Sequence, residues 1–108
     1  MEAEAKTGDG YAMYKLGKIY YEGYGVNQDY QEALKWFNKS AEAGELYGHK
    51  RLIDMYYEGT GVEKDYEKVV YHGKMYRKGY GNAKYVLGYV KKAEEYLKNK
   101  KLKENKKG

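Results

Sequence analysis

The sequence predicts an all-α protein: an α/α solenoid of antiparallel helix pairs, closed at its C-terminal end by one long capping helix. Three observations lead there. First, the segment Leu16-Gly17-Lys18-Ile19-Tyr20-Tyr21-Glu22-Gly23-Tyr24-Gly25-Val26 recurs as Leu52-Ile53-Asp54-Met55-Tyr56-Tyr57-Glu58-Gly59-Thr60-Gly61-Val62, and Asp29-Tyr30 recurs as Asp65-Tyr66, all at a spacing of 36 residues. A unit of that length cannot bury its apolar face alone, so a fixed period means stacked copies. Second, apolar residues recur at helical spacing, as Ala12, Leu16, Ile19 and Tyr20 do. Third, glycine pairs (Gly23 and Gly25, then Gly59 and Gly61) fall where each periodic segment stops. Glycine there tolerates the left-handed backbone of a helix cap and tight turn.

The elements follow in order. Ala5-Lys6-Thr7-Gly8 resembles Ala41-Glu42-Ala43-Gly44, so residues 1–9 read as the end of a partial preceding repeat. Repeat one spans residues 10–44. Its first helix starts near Gly10 and ends at Gly23. Val26, the one apolar residue of the turn, is expected to plug the gap between helices. Asp29 has the place and chemistry of an N-cap, and Glu32 three residues later completes a capping-box pattern. The second helix then runs to about Ala43 and stops at Gly44.

Repeat two spans residues 45–79, with a helix from Glu45 to Glu58, the Gly59/Gly61 turn, an Asp65 cap and a helix to Lys78. Gly73 inside that last helix costs about 1 kcal/mol against Ala, which predicts a softer second unit. A third copy begins, since Gly44 matches Gly79 and Leu16-Gly17 matches Leu87-Gly88 with one residue dropped. No Gly-x-Gly-Val turn follows Tyr89. Residues 80–102 therefore read as a partial third repeat and capping helix, whose lysine-rich outer face ends the stack. Residues 103–108 form a basic tail expected to fray.

The full pattern is Ala-x3-Leu-Gly-x2-Tyr-x2-Gly-x-Gly-Val-x2-Asp-x3-Ala-x2-Trp-x4-Ala-x2-Gly. Ala12, Leu16, Gly17, Tyr20, Gly23, Gly25, Val26, Asp29, Ala33, Trp36, Ala41 and Gly44 fit it in one unbroken copy. It resembles the Sel-1-like repeat, a relative of the tetratricopeptide repeat, over roughly residues 5–90. The resemblance implies a tetratricopeptide-like superhelix whose members mostly serve as adaptors that bind other proteins. Copy two departs from it: Gly48 stands for Ala12, Ile53 for Gly17, and Tyr71-His72-Gly73 surrounds the Trp36-Phe37 position.

Composition narrows the function. With 108 residues the chain folds as one small domain, too small for a deep enclosed active site. Its residues are 42% hydrophobic and 34% charged, too apolar for disorder. No run of about 18 apolar residues spans a membrane, and Met1-Glu2-Ala3-Glu4-Ala5-Lys6 lacks the apolar core of a secretory signal. There is no Cys, hence no disulfide, thiol nucleophile or thiolate metal site, and a reducing cytoplasm suits the chain. The net charge of +5 lies wholly in residues 91–108, since acidic and basic residues balance over 1–90. The repeats are therefore not a basic face.

Tyrosine, with 16 copies, carries the strongest functional signal. On each first helix one stripe lies beside the buried stripe and is expected to face away from the second helix. It reads Tyr11, Tyr14, Lys18, Tyr21 in copy one, Tyr47, Lys50, Asp54, Tyr57 in copy two, and Tyr85, Tyr89, Lys92 in the last helix. In a tetratricopeptide-like stack these helices line the concave surface. Tyr offers large contact area, one polar tip and few rotors, which suits a groove gripping a partner's helix or extended segment. The competing reading is packing between repeats, and Tyr20, Tyr30, Tyr56 and Tyr66, at repeated positions, are assigned to structure.

Other chemistry finds little support. Gly23-Tyr24-Gly25 and Gly59-Thr60-Gly61 lack the preceding strand and the Gly-Lys-Ser/Thr ending of a phosphate loop. His49 and His72 are the only histidines, without zinc-ligand spacing, and Ser40 is the only serine, with no histidine near it in sequence. His72 is expected to be partly buried and His49 exposed. Neither catalysis, nor a cofactor, nor a metal is expected. The lysines Lys98, Lys100, Lys101, Lys103, Lys106 and Lys107 read first as a solubilising helix end. Their functional alternative is phosphate contact with RNA or single-stranded nucleic acid, helped by Tyr beside Lys. The sequence thus points to a non-enzymatic module binding one protein. If complete, it is small enough to modulate or inhibit a larger protein, as small effectors or phage-encoded inhibitors do. An incomplete first repeat would expose an apolar edge and favour self-association.

Overall fold

The computed structural model describes residues 9–80 and 84–107, the side chains of Tyr80, Tyr85, Lys106 and Lys107 excepted. Its helices are α1 (Gly10–Glu22), α2 (Tyr30–Glu42), α3 (Leu46–Glu58), α4 (Tyr66–Tyr80) and α5 (Lys84–Lys107), and the described residues contain no strand. Each helix packs on the next along the chain. In addition α1 touches α3 and α3 touches α5, whereas α2 and α4 do not meet. The odd-numbered helices therefore share one side of a stack, and the even-numbered pair is splayed on the other. The molecule is elongated, 52 × 30 × 21 Å.

The repeat is visible at the level of single hydrogen bonds. Gly23 and Gly59 adopt the same left-handed backbone, φ 74° and ψ 38°, and their N–H groups donate to Ile19 and Met55, each at 2.8 Å. Asp29 and Asp65 then begin α2 and α4: each carboxylate accepts from the backbone N–H three residues on, at 3.0 and 3.1 Å. Each of their own N–H groups returns to the preceding helix, at Tyr20 O and Tyr56 O. That return bond uses the donor a capping box would satisfy, so Glu32 instead accepts from Trp36 Nε1 at 3.2 Å. At the start of α1, Asp9 is the cap, accepting from Tyr11 N at 3.0 Å.

The core runs through all the repeats. Ala33, Phe37 and Ala41 of α2, Leu52, Ile53, Met55 and Tyr56 of α3, Val69 of α4, and Val86, Val90 and Ala93 of α5 are buried together. Two equivalent positions exchange large and small. In repeat one, Gly17 leaves room for Phe37, whose Cε1 lies 2.6 Å from where a Cβ would stand. In repeat two the small residue is on the second helix: Ile53 replaces Gly17, Gly73 replaces Phe37, and a Cβ on Gly73 would collide with Val90 of α5. The glycine that carries a helix-propensity cost is thus the seat of the terminal helix.

Three expectations are corrected. Val26 does not plug the turn: it is 42% exposed, and only its counterpart Val62 packs against the core. The long helix is α5 from Lys84 to Lys107, not 80–102, because Tyr80 still belongs to α4. Residues 103–107 continue that helix and do not fray, Lys having good helix propensity and no breaker intervening. The partial repeat at 1–8 and residues 81–83 lie outside the described residues. On α5 the exposed positions include the lysines Lys84, Lys91, Lys92, Lys98, Lys100, Lys101 and Lys103, with Tyr96 and Leu102 exposed among them. No helix among the described residues is long and apolar enough to cross a membrane.

Candidate functional site

The tyrosine stripe gathers into two clusters. At one end Tyr11 and Tyr14 of α1 lie 5.8 Å apart between ring centroids, and Tyr14 stacks on Tyr47 of α3 at 5.3 Å, bridging neighbouring helices. At the other, Tyr57 of α3 meets Tyr89 of α5 edge to face at 4.7 Å. Between them Tyr21 carries the Arg51 guanidinium 5.5 Å from its ring. Burial raises the Tyr21 phenol above its ordinary range; Tyr30 adds to the shift, and Arg51 opposes it.

The stripe does not simply face away from the second helices. Tyr14 and Tyr21 both touch the Phe37 ring of α2, at 6.1 and 6.4 Å, and Tyr57 touches Tyr66 of α4 at 5.6 Å. A tyrosine ring is long enough to lean from one helix over its partner, so Tyr14, Tyr21, Tyr57 and Tyr89 are half-buried against the core. The expectation of a fully outward stripe is corrected accordingly. Tyr11 and Tyr47 are the open members, 48% and 39% exposed. Lys18, Lys50 and Asp54 are half-buried and Lys92 is exposed; the Tyr85 side chain lies outside the described residues. Lys15 and Lys18 place ammonium groups 5.0 and 5.9 Å from the Tyr11 and Tyr14 rings, so the open end of the stripe is cationic as well as aromatic. Lys15 and Arg51 were not legible as members, because they fall one position outside the tyrosine spacing.

The histidines form a second constellation. His49 is not exposed: it is 4% accessible, and its Nδ1 lies 2.8 Å from Nδ1 of His72, itself 7% accessible. Gly48 explains the burial of its neighbour. It brings α3 so close to α2 that an added Cβ would stand 2.8 Å from Ala41 N. Burial pushes the His72 pKa down to about 4, with the His49 and Lys68 charges adding to it, and burial lowers His49 in the same direction. The repeat register carried the signal for His72 alone. His72 occupies the Trp36 position, a half-buried one in repeat one, and His49 starts the helix it packs on. Ser40 is structural, fully buried and donating to Gly10 O at 2.7 Å. Among the described residues no group of three or more His, Asp or Glu could hold a metal ion.

Comparison with known proteins agrees with the repeat geometry. The Sel1 repeat family model matches residues 10–45 and 46–68. A sel1-like repeat-containing protein of Acanthamoeba polyphaga mimivirus is 50% identical over 38 residues, 35% of this chain and 6% of that protein. The crystal structure of a Sel1 repeat protein from Oxalobacter formigenes superposes with a TM-score of 0.66 at 27% identity, covering 68% of this chain and 30% of that one. The chain thus spans a small part of each relative's length.

Proposed function

Because the chain belongs to the Sel1 repeat family, whose members generally mediate protein–protein interaction, we propose that it binds one protein partner through the tyrosine face of α1, α3 and α5. The observation that carries this reading is the open aromatic end, where Tyr11 and Tyr47 stand exposed on a base formed by Tyr14, with lysine ammonium groups beside the rings. Half-buried tyrosines beneath hold the exposed ones in place, so little rotamer entropy is lost on docking. Tyr11, Tyr14, Lys18, Tyr21, Tyr47, Lys50, Asp54, Tyr57, Tyr85, Tyr89 and Lys92 make up the proposed face. Two repeats offer of the order of 800 Å² to a partner, enough for a single specific contact. From that area we take the finer reading, a modulator or inhibitor of one larger protein.

The basic end of α5 supplies the rival account, binding of RNA or single strands. Ionic strength and truncation separate the two. The partner's affinity for the intact chain and for a chain ending at Leu97 should agree within about twofold and change little from 50 to 200 mM salt, whereas phosphate contacts lose orders of magnitude over that range. Loss of binding with residues 98–108, or a steep salt slope, would assign the function to the lysines.

A further inference from the structure

We propose that the cavity between α2 and α4 is a binding site for a small, flat, uncharged heteroaromatic molecule bearing an N–H group, held by the His49–His72 couple. The cavity measures about 510 Å³ and opens where the two even-numbered helices fail to meet; none of its lining residues belongs to the tyrosine face. That volume is in the range of small-molecule sites, which combine apolar walls with a few directed polar groups.

The couple fixes the polar recognition. A 2.8 Å contact between two Nδ1 atoms is a hydrogen bond, so one imidazole donates and the other accepts. With Nδ1 atoms this close and ring centroids 5.1 Å apart, the rings lie end to end and their Nε2 atoms point away from each other. The tautomers are complementary. Whichever way the shared proton lies, one Nε2 is a bare acceptor and the other is an N–H donor. Neither hydrogen-bonds to another described residue, yet no buried side-chain nitrogen among the described residues lacks a partner. Both Nε2 atoms therefore reach accessible space, and the cavity is the space both histidines line.

The walls select shape and charge. The Tyr56 ring lies parallel to His72, 4° between planes, and Tyr71 stands edge-on to it at 77°. Ala41 and Met75 add apolar wall for a planar ring, while the Lys68 ammonium lies 4.9 Å from the Tyr56 ring centroid and Asn38 and Glu42 line the polar side. One cation, Lys68, and one carboxylate, Glu42, line opposite helices and cancel, while the buried couple is neutral, so no net charge calls for a charged ligand.

The test uses indole as probe and indene, its analogue without nitrogen, with the full chain at neutral pH. The readout is the side-chain nitrogen NMR signals of His49 and His72. Indole should shift both signals saturably at millimolar concentration and bind about tenfold more tightly than indene, the worth of one hydrogen bond. Tyr71→Ala, at a 57% exposed residue, should weaken indole several-fold with helicity unchanged, and Tyr24→Ala, on the repeat-one turn, should not. Absence of a saturable shift, equal binding of indene, or indifference to Tyr71→Ala would each overturn the assignment.

Discussion

Phe37→Ala is expected to destabilise the protein by about 3–5 kcal/mol, the largest loss for any single truncation here. The ring is fully buried, and the α1 residue directly against it is Gly17, which has no side chain to fill the space it leaves. The Tyr14 and Tyr21 rings at 6.1 and 6.4 Å lose their common support as well. Small domains hold about 5–15 kcal/mol in all, so the variant should be largely unfolded at modest temperature. Urea unfolding followed by circular dichroism measures it. A loss below about 1 kcal/mol would mean that α1 and α2 are not held together at the Gly17–Phe37 contact.

Acid should unfold the protein through the histidine couple. The folded His72 pKa of about 4 lies below the ordinary 6.5, so between those values the unfolded chain binds more protons than the native one. Unfolding free energy then falls as pH drops from about 6.5 toward 4 and loses no more from this group below that. A shift of this size is worth about 3 kcal/mol, and the lowered His49 acts with the same sign. Stability measured between pH 7 and 4 should show that slope. The combined His49→Leu and His72→Phe variant, which cannot titrate there, should flatten it. An unchanged slope would place the acid sensitivity in the carboxylates.

Much of the fold was legible because the repeat writes it twice. Gly23 and Gly59, Asp29 and Asp65, and the Leu16 and Leu52 stripe each stand at sites where backbone geometry or burial restricts the residue, and local pattern is enough to read such sites. What could not be read depends on distance in space. The partner of Gly73 is Val90, supplied by the next helix, and helix propensity alone saw only its cost. Val26 looked like a plug because it is apolar, but the turn leaves it in solvent while Val62 packs. The tyrosine stripe was legible by spacing. Its lean over Phe37 and Tyr66 was not, since ring length and interhelical distance decide it. His49 was misplaced for the same reason: a polar residue near a helix start reads as exposed until its buried partner 23 residues away is known.

The central claim is that the tyrosine face binds one protein, and its exposed members allow a clean substitution. Tyr11→Ala with Tyr47→Ala removes the open rings and leaves the core-packed Tyr14, Tyr21, Tyr57 and Tyr89 in place, so the fold should persist. The measurement is affinity purification from the native cell with the unaltered chain and with this double variant, each eluate quantified by mass spectrometry. The account predicts one protein retained by the unaltered chain and reduced at least tenfold by the variant, as loss of two aromatic anchors at about 1 kcal/mol or more each would produce. Equal recovery of that protein by both chains would contradict it.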